Sequence, residues 1–200
     1  MKEFIINNSL NIIKKENPNY TTEKIEEIKY GLVGLYLMIT KTIIILIIAA
    51  LLGILKQLIL FTIIYNIIRM PSFGLHAKSS IACLISSSIL FIGLPFICKT
   101  IIIPNWIIIT FGIVGILLIA KNSPADTEKR PIINSKRRKI YKIISTVLSF
   151  VYVMLSLIIP NHFLTNCLIL SLLLQCIVIS PLTYRAFNMP YNNYQNYNKV

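Results

Sequence analysis

Acidic residues are scarce in this chain: seven Asp and Glu against twenty Lys and Arg in 200 residues, a net charge of +13. All but Asp126 and Glu128 lie within the first 27 residues, so few carboxylates remain to orient a catalytic group elsewhere. Histidine is rarer still, His76 and His162 alone. The four cysteines, Cys83, Cys98, Cys167 and Cys176, form no CxxC pair and lie in or beside apolar segments. That placement argues against a disulfide framework. Two histidines and scattered cysteines also lack the clustered spacing of a zinc site, so no metal and no cofactor is expected. The first 17 residues have no continuous apolar core or small-residue cleavage site, so they do not read as a cleavable signal peptide. No internal repeat is visible.

Apolar sequence is abundant. The chain is 56% hydrophobic, with a mean hydropathy of +0.73. Such composition in long runs indicates transmembrane helices, and this length accommodates one membrane domain of about six spans. The basic residues flank apolar segments, where topology and anionic headgroups account for them; nucleic acid is not an expected partner.

The expected fold class is therefore all-α: a polytopic membrane helix bundle of about six transmembrane segments, one short, preceded by an amphipathic helix over residues 1–17. In that helix Ile5, Ile6, Leu10, Ile12 and Ile13 share one arc, and Asn7, Asn8, Asn11, Lys14 and Lys15 the other. The arc suits the headgroup region or a partner subunit equally. Pro18 breaks it, and Thr21 or Thr22 caps the next helix. Membrane segments are expected near 30–55, 58–68, 79–97 (ending near Pro95), 101–120, 140–160 and 163–183. The second has only about eleven apolar residues where roughly twenty would span. Residues 21–183 form the expected membrane domain, 121–139 a polar basic loop, and 184–200 a flexible tail.

Orientation follows from the positive residues. With both termini and the 121–139 loop in the cytoplasm, all Lys and Arg except Lys41, Lys56 and Lys99 are cytoplasmic. Lys41 falls inside the first span and needs a carbonyl, a watery cavity or a bound anion. Arg69, His76 and Cys83 then lie on the cytoplasmic side.

Cysteine becomes a thiolate at neutral pH with the help of a base, and histidine is the usual one. On a straight helix His76 and Cys83 would share a face about 10 Å apart along the axis, too far to bond. Pro71 and Gly74 supply an interruption that would let His76 fold back over the helix bearing Cys83. Taken singly, Cys83 also fits an ordinary apolar-face cysteine, and His76 an interfacial helix-end histidine.

The segment Arg69-x4-Gly74-x-His76-Ala77-x5-Cys83 resembles the AgrB (accessory gene regulator B) family of bacterial membrane cysteine endopeptidases. The stretch Ser123-Pro124-Ala125-Asp126-Thr127-Glu128-Lys129-Arg130-Pro131-Ile132 resembles that family's second hallmark. One departure is Phe73, where many members carry a glycine before Gly74. The resemblance implies a bacterial cell-membrane enzyme that processes a quorum-sensing propeptide of the AgrD type, with Cys83 as nucleophile and His76 as base, supported by Arg69 and Gly74. It further implies cleavage of the propeptide's acidic C-terminal tail, a thioester on Cys83, closure of a thiolactone or lactone ring, and a homodimer. Asp126 is a candidate to orient His76, or else a carboxylate that shapes its own loop. Lys129, Arg130, Lys136 and Arg137, with Arg138 and Lys139, are candidates to bind the acidic tail, or else a topology signal. The competing reading is a non-catalytic multi-pass transporter or immunity-type protein with Lys41 on its pathway.

Overall fold

The computed structural model describes residues 2–75, 80–128 and 131–197, without the side chains of 80–84 and 196. The chain divides into two compact units, Met1–Leu52 and Gly53–Val200. In the first, α1 (Lys2–Glu16) packs on α2 (Thr22–Leu51), whose start is capped by the Thr21 hydroxyl accepting the Lys24 N–H. The apolar arc expected on α1 is divided. Ile6 and Leu10 are buried, whereas Ile5 and Ile12 are exposed. A cavity of about 660 Å³ lies between the two helices, with Asn7, Asn11, Lys14 and Lys29 in its lining.

The second unit contains α3 (Leu55–Ser72), α4 (Ser80–Thr100), α5 (Asn105–Asn122), α6 (Ser135–Ile158), α7 (His162–Ile179), the short α8 (Pro181–Ala186) and a 3-10 turn over Asn193–Asn196. Among the described residues, α2, α5, α6 and α7 are long and apolar enough to cross a membrane. The α2–α7 series follows the six expected segments, and the protein is a polytopic helical membrane bundle. The segment expected to be short is an 18-residue helix, because Leu55–Gln57 and Arg69–Ser72 extend its apolar middle. That length rises about 27 Å.

α7 is the central element of this unit and contacts α3, α4, α5 and α6. Ile169, Leu172 and Ile179 are fully buried on it. α5 approaches through glycines: a Cβ on Gly112 would meet Val153 at 2.8 Å, and one on Gly115 would meet Leu172 at 2.9 Å. Small residues at such contacts let membrane helices pack closely without a water-driven hydrophobic force. The outward faces remain apolar, including Ile109, Ile113 and Leu117 of α5, as a lipid-facing surface requires.

Several boundaries depart from expectation. α4 runs through Pro95 to Thr100 instead of ending near it. Pro95 has no N–H for the Phe91 carbonyl, a loss that membrane helices tolerate where neighbouring groups compensate. The last apolar segment breaks at Ser180, whose side chain accepts the Leu182 N–H and starts α8. Lys136, Arg137, Arg138 and Lys139 belong to the first turns of α6 rather than to the loop, because Asn134 accepts the Lys136 and Arg137 N–H groups as an N-cap.

The tail expected to be loose also packs. Tyr184 is buried, its hydroxyl donates to the Ala125 and Asp126 carbonyls at 3.3 and 3.0 Å, and Tyr191 donates to the Asn122 carbonyl. The Arg138 guanidinium lies 3.1 Å from the Tyr194 ring centre. Tyrosines, which carry a donor on an apolar body, let this Asn/Tyr-rich segment fold over the 122–126 loop.

Candidate active site

The helix ends of the second unit fall into two groups. The C-termini of α3, α5 and α7 meet the N-terminus of α6 at one end, and the C-terminus of α4 meets the N-terminal half of α7 at the other. The described residues of both motifs singled out in the sequence lie at the first end.

There α3 stops at Ser72, one residue beyond Pro71, and the chain turns sharply. Phe73 has φ 59° and ψ −138°, and Gly74 has φ 121°. Residues with side chains rarely adopt such values. A Cβ on Gly74 would also stand 2.7 Å from Val178 Cγ1, so glycine is required there by both conformation and space.

Hydrogen bonds fix the turn from three directions. The Gly74 N–H donates to the Ala125 carbonyl at 2.9 Å, and the Ala125 N–H donates to the Ser72 carbonyl at 3.0 Å. These make a single parallel bridge between Phe73 and Ala125, joining the two sequence motifs. From α7, the Leu75 N–H donates to the Val178 carbonyl at 3.3 Å, and Gln175 Nε2 donates to the Phe73 carbonyl at 2.7 Å. From α3, Arg69 donates to the Leu75 carbonyl at 3.3 Å and to the Tyr65 hydroxyl at 2.6 Å. The Phe73 ring packs edge-on against Tyr141 of α6, with centroids 5.1 Å apart.

Arg69 and Gly74 are thus brought together around the residues immediately before His76. A cleft of about 260 Å³ opens beside them, lined by Asn66, Arg69, Phe73, Gly74, Ala125 and Thr127. His76, Lys129 and Arg130 lie outside the described residues. So does the Cys83 side chain, although its backbone belongs to the first turn of α4.

Asp126 follows the bridge residue Ala125 and is engaged by backbone N–H groups. Its carboxylate is buried and accepts N–H groups from Asn193 and Tyr194, each at 2.9 Å, and from Ile132 at 3.4 Å. It anchors the tail and its own loop. Ser123 completes that loop by sharing a 2.6 Å hydroxyl contact with Ser145 of α6. Burial, reinforced by the Asp126 charge, pushes the Tyr184 phenol above its usual range and keeps it a donor. Lys136 and Arg137 are exposed on the first turn of α6, a helix end that already carries a partial positive charge.

Sequence reasoning missed Gln175 and Tyr184. A glutamine inside an apolar run was the available signal, since a buried amide needs partners.

The fold and this held turn define a multi-pass helical membrane protein with an irregular, tightly bonded segment between two helices. The chain belongs to the AgrB family, accessory gene regulator B, whose profile matches residues 6–179. Its relatives include an AgrB-like protein of Listeria monocytogenes, 32% identical over 93% of this chain and 91% of that one. An AgrB-like protein of Clostridium acetobutylicum is 28% identical over 93% of this chain and 90% of its own length. The accessory gene regulator protein B of Staphylococcus carnosus is 38% identical over 56% of this chain and 59% of its own. No solved structure matches.

Proposed function

We propose that this accessory gene regulator B family member is a membrane cysteine endopeptidase that matures a quorum-sensing propeptide of the AgrD type. The observation that carries the reading is the turn at 73–75. Backbone in sparsely populated conformations persists only where its surroundings over-determine it, and such segments cluster at active sites. Here the turn is bonded to α3, to α7 and to the second motif, and the next residue in the chain is His76.

In this reading Cys83 Sγ attacks the peptide carbonyl that joins the core to the acidic tail. His76 takes the thiol proton and returns it to the leaving amine. The core remains as a thioester on Cys83. A core thiol or hydroxyl then attacks the thioester carbonyl, frees Cys83 and closes the ring. Thioester exchange changes free energy little, so excluding water is what directs the intermediate to the ring. Arg69 and Gly74 act through the backbone, holding the segment that leads into His76.

Lys136 and Arg137, with Lys129 and Arg130 in the preceding loop, serve the acidic tail in this account. Their charge adds to the positive end of α6, which favours an anionic partner. Both termini are cytoplasmic, the side on which a newly made peptide arrives, and the enzyme works as a homodimer. Support for the orientation comes from the charges of the second unit: Arg69, Lys121 and Lys136–Lys139 gather at the end of the turn, Lys56 and Lys99 at the other.

Cleavage of the cognate propeptide by the protein and its Cys83→Ser variant, at matched membrane levels, tests the reading. Loss of tail release in the variant is expected; full retention sinks it.

A further inference from the structure

Gln175 is fully buried in the C-terminal half of an apolar helix, a costly place for an amide unless it is bonded. Its orientation is set by its partner. The Phe73 carbonyl only accepts, so the group facing it at 2.7 Å is the amide nitrogen. The other end of the amide, Oε1, is buried with no hydrogen-bond partner among the described residues. Among the described residues the bond to Phe73 alone sets the direction of the amide. Within one helical turn, Val178 accepts from Leu75 and closes against Gly74. The C-terminal half of α7 acts as a mould for residues 73–75.

We infer that Gln175 is a positioning residue for peptide cleavage: it fixes the Phe73 carbonyl and, through it, the direction in which the chain leaves toward His76. The inference rests on the dyad of His76 and Cys83 proposed above. Asn166 provides an internal comparison. It is buried in the same helix, donates to the Cys98 and Ile101 carbonyls, and likewise has an oxygen without a partner among the described residues. Those carbonyls lie at the far end of the bundle, so Asn166 closes a break without approaching the site.

The test measures steady-state cleavage, together with amide hydrogen exchange at Gly74 and Leu75, on the full-length protein in membranes or nanodiscs. Gln175→Met keeps the length and removes the donor. It is expected to lower kcat about tenfold or more, to leave KM within about twofold, and to speed exchange at both amides. Gln175→Glu serves as a rescue. A buried carboxyl stays neutral and can donate through its O–H, so kcat relative to the parent is retained at low pH and falls as pH rises. Asn166→Leu, normalised to folded protein, keeps its kcat.

A kcat for Gln175→Met within about twofold of the parent overturns the assignment, as does an equal loss in Asn166→Leu. Should Gln175→Met fail to fold, a Gln175→Glu to parent ratio that is flat with pH overturns it. Cys83→Ala, run in parallel, separates the two claims. If that variant cleaves normally the enzyme reading falls, and the exchange data alone then decide whether Gln175 holds the turn.

Discussion

Two helix breaks in the Gly53–Val200 unit are closed by α7 in very different ways. The break over residues 101–104, between α4 and α5, needs one side chain: Asn166 takes the Cys98 and Ile101 carbonyls. No residue in it has a positive φ. The described part of the break between α3 and α4, residues 73–75, has two consecutive residues at positive φ and is tied by Gln175, Val178, Ala125 and Arg69. Reversing the chain requires only that freed carbonyls find donors at membrane depth. Holding backbone in one costly conformation requires many more contacts, each of about 1 kcal/mol net, against strain of about 1–3 kcal/mol per residue. The second break spends packing on geometry, as the proposed presentation of His76 would demand.

Substitutions that act on one break and not the other test this contrast. The largest effect is expected from Gly74→Val. A side chain at φ 121° with its Cβ 2.7 Å from Val178 forces the turn to move. Cleavage should fall by about a hundredfold or more while other helices keep their protease protection. Arg69→Gln comes next. It removes the cation that ties the Leu75 carbonyl to Tyr65, and cleavage should fall about tenfold or more, read as kcat with KM nearly constant.

Asn166→Leu should do the reverse. It leaves two carbonyls at the far break without their donor and lowers stability by about 1–3 kcal/mol, measured as the midpoint of unfolding in detergent, without changing cleavage per folded molecule. Asp126→Asn should loosen the Asn193–Tyr194 anchor and raise hydrogen exchange there, with cleavage changed only a fewfold. A loss as deep as that of Cys83→Ala would favour the role of orienting His76. Charge reversal at Lys136 and Arg137 should give the smallest effect: KM rises severalfold, less so at high salt, and kcat holds.

Much of this was legible in the sequence because membrane helices announce themselves by composition. Long runs of Ile and Leu between basic flanks located all six segments, and Pro71 with Gly74 located the turn to within two residues. Lys56 lies in the first turn of α3 and Lys121 in the last turn of α5, so these charges mark helix ends. What the sequence hid was long-range pairing. The partnership of Phe73 with Ala125 joins positions some fifty residues apart in a single backbone bridge, and no periodicity records it. The tail partners of Asp126 were hidden for the same reason: they are backbone N–H groups of Asn193 and Tyr194, which any sequence could supply. The Tyr-rich tail looked unstructured because it lacks an apolar run. It is held instead by phenol donors placed over a loop.

The covalent intermediate is the most direct test of the central claim. Purified enzyme mixed with its propeptide and quenched in acid should show, by intact mass, an adduct equal to the peptide without its tail. That adduct should map to Cys83, be released by hydroxylamine, and be absent from Cys83→Ala. Tail release by Cys83→Ala at the parent's rate, or an adduct carried by another residue, would contradict the account.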